Sequence, residues 1–134
     1  MKAKYLLAVI FFLIAGCNKE LPGLTSGLEG TWELVSSDGA WSGHRQFEPG
    51  NGNTISFNGN NYSQTLKTTD TTYQSSGTFI IYTGKPCDAA DEQTLIKFND
   101  NENVSSFSLA DAKLTIGTTE CIADGGSSMY RKIQ

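Results

Sequence analysis

The chain has 134 residues, enough for one domain with a single hydrophobic core and little more. Ten Lys and Arg against fourteen Asp and Glu give a net charge of -4, the wrong sign for a nucleic-acid partner, whose phosphates demand a basic surface. One histidine, His44, and three cysteines with no second Cys or His at ligand spacing argue against a metal centre.

The chain opens with Lys2 and Lys4, continues through an apolar run from Tyr5 to Ile14, and reaches the small pair Ala15 and Gly16 before Cys17. A basic start, a short apolar run and small residues before a cut are the composition of an export signal. The run falls well short of the roughly 20 residues that a membrane-spanning helix needs. Residues 1–16 are therefore expected to stay out of the fold. Small residues directly before a cysteine resemble the lipobox of bacterial lipoproteins. That resemblance implies that Cys17 becomes the first residue of the mature chain, diacylglycerylated on sulfur and acylated on its amine with a palmitate-type chain, so that the protein is anchored rather than spanning. Asn18, where an aspartate would signal retention, implies by the same resemblance the outer membrane of a Gram-negative envelope, with the leaflet open. Residues 17–27 are mostly polar, with Pro22 among them, and read as a tether of about 30 Å when extended, leaving residues 28–134 as the domain.

From Thr31 onward, short runs of Thr, Ile, Phe, Tyr and Val alternate with Gly, Asn and Asp clusters, and no window holds a helical period for ten residues. Eight strands are predicted, at residues 31–36, 54–58, 62–67, 72–82 with an irregularity at Gly77, 94–99, 104–109, 113–118 and 128–133. Asn58-Gly59-Asn60-Asn61, residues 100–103 and Ala110-Asp111 read as tight reversals, so neighbours pair antiparallel. Alternation puts Trp32 with Leu34, Ile55 with Phe57, Tyr62 with Leu66, Phe79 with Ile81, Ile96 with Phe98, Phe107 with Leu109, and Leu114 with Ile116 on single buried faces. An all-β, up-and-down antiparallel barrel of about eight strands satisfies this pattern and removes exposed edges; a two-sheet sandwich is the competitor. In an exported protein with Cys17 acylated, the remaining pair Cys87 and Cys121 is expected to form a disulfide, two free buried thiols being the alternative. The bridge would clip the loop before the fifth predicted strand to the segment before the eighth, at one end of the barrel.

Gly30-Thr31-Trp32 at the start of the first strand resembles the G-x-W signature of lipocalins, and the segment Leu28 to Val35 is similar to the opening of small lipocalin-like domains of bacterial lipoproteins. Gly77-Thr78-Phe79 and the terminal Tyr130-Arg131-Lys132 extend the resemblance over residues 28–133. It implies that Trp32 plugs one end of the barrel with a late-strand arginine over its face, for which Arg131 is the candidate. Tyr130 competes for the inward position, because neighbours in a strand point opposite ways. Such domains share a fold while binding different things, so the resemblance bears on architecture more than on activity.

The connection over residues 37–53 is the longest and carries Trp41, His44, Arg45 and Glu48 among several glycines, which makes it the candidate lid at the end opposite Trp32. No nucleophile elbow or paired catalytic cysteine accompanies His44, so no enzyme activity and no cofactor is expected. Asp88, Asp91 and Glu92 read as a solvated turn, and residues 99–103 lack the spacing of a calcium loop. Two functions survive. One is a monomeric, membrane-anchored carrier of a small apolar or amphipathic ligand, gripped by Tyr62, Tyr82 and Phe107 inside the barrel and by Trp41, His44 and Arg45 at its mouth. The other is an envelope interaction module with a filled barrel, binding a protein or glycan through its loops.

Overall fold

The structure, a computed structural model, describes residues 27–87, 89–99, 104–119 and 121–134. The expected export signal, Cys17 and the expected tether as far as residue 26 lie outside the described residues, as do Asp88, residues 100–103 and Glu120.

Among the described residues nine strands form, in chain order β1 (Gly30–Gly39), β2 (Gly43–Gln46), β3 (Thr54–Asn58), β4 (Asn61–Lys67), β5 (Thr72–Gly84), β6 (Gln93–Phe98), β7 (Val104–Ala110), β8 (Lys113–Thr118) and β9 (Gly126–Lys132). Each pairs antiparallel with the next around the ring β1-β3-β4-β5-β6-β7-β8-β9, and β9 returns to β1 from Trp32↔Lys132 to Gly39↔Gly126. The ring is a closed eight-stranded, lipocalin-like barrel with one extra strand. Closure satisfies the backbone groups that a sandwich would leave at its edges.

The extra strand is β2, inside the segment expected to be a loose lid. It pairs with the far half of β1, from Ser36↔Gln46 to Gly39↔Gly43, while β3 pairs with the near half, from Gly30↔Phe57 to Glu33↔Thr54. Thus β2 and β3 lie end to end along one side of β1. The ladder continues across their junction through Phe47 N–H to Val35 O and Leu34 N–H to Asn53 O, both 2.9 Å, and residues 48–52 loop out between them. No apolar alternation marks Gly-His-Arg-Gln, and all four residues of β2 are exposed. Backbone pairing on β1, and not burial, makes this strand, which is why the side-chain pattern did not reveal it.

The inner face carries Trp32, Leu34, Ile55, Phe57, Phe79, Ile81, Ile96, Phe107, Leu114 and Tyr130, all buried and forming one core. Phe57 and Phe79 meet edge to face at 5.0 Å between ring centroids, the geometry preferred by the ring quadrupoles. A bulge between Leu34 and Ser36 shifts the register of β1 against β9, so Leu34 faces inward opposite Tyr130 and Ser37 faces inward opposite Ser128. Strand β5 serves two partners, β4 through Thr78 and β6 from Phe79 onward. Just before the change, a side chain on Gly77 would collide with that of Asn99. The Asn99 amide occupies that space, accepting from the Thr78 N–H at 3.1 Å and donating to the Tyr62 hydroxyl at 3.1 Å.

One end of the barrel is shut by the two ends of the described chain. Trp32 is 1% exposed and donates its indole N–H to the Leu28 carbonyl at 2.7 Å, with Leu28 itself fully buried. The cation over the indole is Lys132, 5.6 Å from the ring centroid, and not Arg131. Strand alternation decides this: Tyr130 and Lys132 share the inner face, so Arg131 points outward, where its guanidinium meets Glu33 at 2.5 Å. Gly30, the first residue of the G-x-W motif, has φ +116, and a side chain there would run into the carbonyl of Gln134. Thr31 N–H donates to that carbonyl at 3.0 Å, so the glycine admits the chain terminus against the first strand.

Cys87 and Cys121 are bonded, with Cα atoms 5.8 Å apart. Their connections do not share an end, contrary to expectation. In strict antiparallel order the β5–β6 and β8–β9 connections emerge at opposite ends, so the bridge runs along the outside wall between them.

Candidate functional site

Above the packed lower half, the barrel keeps an interior cavity of about 200 Å³ lined by Ile55, Tyr62, Gln64, Phe98, Ile116 and Tyr130. Register places each on the inner face: Ile55 opposite Gln64, Phe57 opposite Tyr62, Phe79 opposite Phe98, and Leu114 opposite Tyr130. Tyr62 and Phe98 pack edge to face at 4.7 Å between centroids and form an aromatic wall. The opposing side is polar. Burial raises the Tyr130 hydroxyl above its ordinary pKa, partly offset by hydrogen bonding with Ser128 and Gln64, so it stays protonated. The cavity therefore combines apolar walls with one cluster of neutral hydrogen-bonding groups.

Of the residues expected to bind, Tyr62 lines this cavity. Phe107 is buried in the packed core. Tyr82 is on the outer face, because its neighbour Ile81 takes the inner one. Trp41, 89% exposed, sits at the tip of the β1–β2 hairpin, beyond the end of β1 opposite Trp32. His44 stands opposite Asp38 and holds its carboxylate at 2.6 Å, both exposed. Arg45 is opposite Ser37, which is in turn opposite the inward Ser128, so it borders the cavity's open end. The expected cluster of Trp41, His44 and Arg45 is thus spread over a hairpin, with only Arg45 on the inner side.

Gln64 and Tyr130 were not singled out as binding residues. Their signal was alternation: Gln64 falls between Tyr62 and Leu66 on one face, and a polar residue at an inward position is the informative kind of buried residue.

The second notable site is outside the wall. Glu33 is nearly fully buried although it points away from the core, because residues 48–52 fold over it. Its carboxyl is held below the ordinary pKa first by Arg131, against the opposing effect of burial, and then by the backbone N–H groups of Gly52 and Gly50. Asn51 pins the same loop by donating to Leu34 O at 2.9 Å and Glu48 O at 2.6 Å and accepting from Asn53 N–H at 2.8 Å. This cluster locks the β2–β3 junction onto the barrel.

Among the described residues no group of His, Cys, Asp and Glu is placed to hold a metal ion. No protein-family model and no curated protein matches the chain.

Proposed function

We propose that the protein is a lipid-anchored envelope lipoprotein without catalytic activity, whose barrel binds one small apolar or amphipathic molecule. The supporting observation is the interior cavity, apolar on the Tyr62 and Phe98 side and hydrogen-bonding on the Gln64 and Tyr130 side. At about 200 Å³ it lies below the roughly 300–1,000 Å³ of drug-sized pockets, so the ligand on this reading is a single ring or a short chain with one polar group. An eight-stranded barrel is wide enough for side chains to fill it or for one such molecule. The lipobox resemblance supports the anchor at Cys17, and Asn18 supports outer-membrane sorting.

The test is native mass spectrometry of the domain extracted from its host, beside a Gln64→Leu, Ile116→Trp variant that fills the cavity. A retained small mass lost in the variant supports the carrier. A bare mass in both supports a filled barrel. Loss of palmitate labelling in Cys17→Ser, with the domain still folded, tests the anchor separately.

The interaction module draws support from Trp41. An indole 89% exposed on a protruding hairpin is an unusual surface residue in a monomer and a common anchor in interfaces. On that reading Trp41→Ala abolishes capture of an envelope protein or glycan and leaves the retained mass unchanged.

A further inference from the structure

A second cavity lies outside the barrel. It measures about 450 Å³ and lies on the outer wall, where β5, β6 and β7 run beneath the Cys87–Cys121 bridge. Its floor is Tyr82, Leu95 and Val104, and its roof is Pro86, the disulfide and Ile122. Leu95 shows that this is a built feature. It alternates with the core residue Ile96 and so points outward, yet it is only 2% exposed. Pro86 is buried as well. Two connections from opposite ends of the barrel meet over these residues, joined by the bridge, and enclose an apolar space that the barrel core does not reach.

We propose that this strapped cavity is a second binding site, distinct from the barrel interior, for a neutral, mainly apolar small molecule with two or three rings. The volume falls within the range of sites for such molecules. A neutral occupant suits the mainly apolar lining, in which the one cation among the described lining residues, Lys85, directs its ammonium to the Ala90 carbonyl at 2.8 Å. The aromatic face of Tyr82 and the branched side chains around it suit stacked rings. A peptide adding to the sheet is disfavoured, because β6 and β7 are both paired on their two sides. The disulfide is part of the wall, so the site depends on it.

The probe is N-phenyl-1-naphthylamine, a neutral ring compound that fluoresces in apolar surroundings, titrated into the oxidised protein. One equivalent binds. Val104→Trp and Ile122→Trp, which fill the cavity from floor and roof, each weaken binding at least tenfold while the melting temperature stays within a few degrees. The Cys87→Ser, Cys121→Ser double variant weakens it too, checked at a temperature where circular dichroism shows it folded. Filling the barrel interior with Ile116→Trp leaves probe binding unchanged, which separates this site from the carrier reading. Absence of probe binding overturns the proposal. So does binding that survives Val104→Trp and Ile122→Trp but is lost in Ile116→Trp.

Discussion

At the scale of single residues, the two tryptophans separate stability from surface chemistry. Trp32 is enclosed by Leu28, Lys132 and the lower core, and its indole N–H is satisfied by Leu28 O. Trp32→Ala removes a buried aromatic and is expected to cost about 3–5 kcal/mol in denaturant unfolding. Trp41→Ala takes away an exposed ring and is expected to stay within about 0.5 kcal/mol. Among the described residues Glu33 is the carboxylate held below its ordinary pKa, first by Arg131, and it is expected to contribute acid sensitivity. Its folded pKa is depressed, so its contribution to stability is fully present above the unfolded pKa of a glutamate and is lost as pH falls through the folded value. Glu33→Gln keeps the shape and gives up the charge pairing with Arg131. Thermal melts from neutral to strongly acid pH should therefore fall less steeply in Glu33→Gln than in the parent, with the variant already less stable at neutral pH. Equal acid slopes would remove Glu33 from the account.

At the scale of elements, the strands that bury a face were legible and the one that does not was not. Residues 54–58 and 113–118 form strands with the expected bounds, because Ile55 with Phe57 and Leu114 with Ile116 must face one core. β2 escaped because its pairing is purely backbone, and β5 ran two residues longer than expected because Thr83 and Gly84 pair with β6 with no apolar signal of their own. Turn chemistry was legible at Gly59, which has φ +57 in the hairpin closed by Asn58↔Asn61. The β7–β8 hairpin is less well suited. Asp111 and Ala112 both have positive φ, at 51 and 55, in a two-residue turn closed by Ala110↔Lys113. Asp tolerates that conformation and alanine does not, at a cost of about 1–2 kcal/mol for an L-residue in the left-handed region. Ala112→Gly relieves it and gives the favoured Asp-Gly turn, less the extra entropy that glycine loses on folding. A net gain of about 0.5–1 kcal/mol is expected in equilibrium unfolding, and a loss would show that the turn is not strained.

At the scale of the whole molecule, the proposed lipid anchoring makes the placement of the described chain's start decide how the barrel would face a membrane. The site was only partly legible because its shape depends on which inward positions the bulge on β1 and the shear of the sheet bring to one level, as with Gln64 and Tyr130, and strand patterns carry no such information. The anchor geometry is simpler. The described chain begins at the closed end, where Lys132 donates to Gly27 O at 3.3 Å and Leu28 is locked over Trp32. On the proposed lipid anchoring, a tether of about 30 Å therefore leaves from the closed end. On the same reading Lys2 and Lys4 leave with the signal, and the resulting net charge of -6 (8 Lys and Arg against 14 Asp and Glu) disfavours contact of the rest of the surface with anionic lipid. The barrel mouth and the Trp41 hairpin are then the parts farthest from the bilayer. In a Trp32→Phe background, Trp41 is the remaining tryptophan, and its emission from the acylated protein in vesicles should be quenched by aqueous acrylamide and not by brominated acyl chains. Quenching by the brominated lipid would place the hairpin in the membrane, with the mouth of the barrel turned toward it.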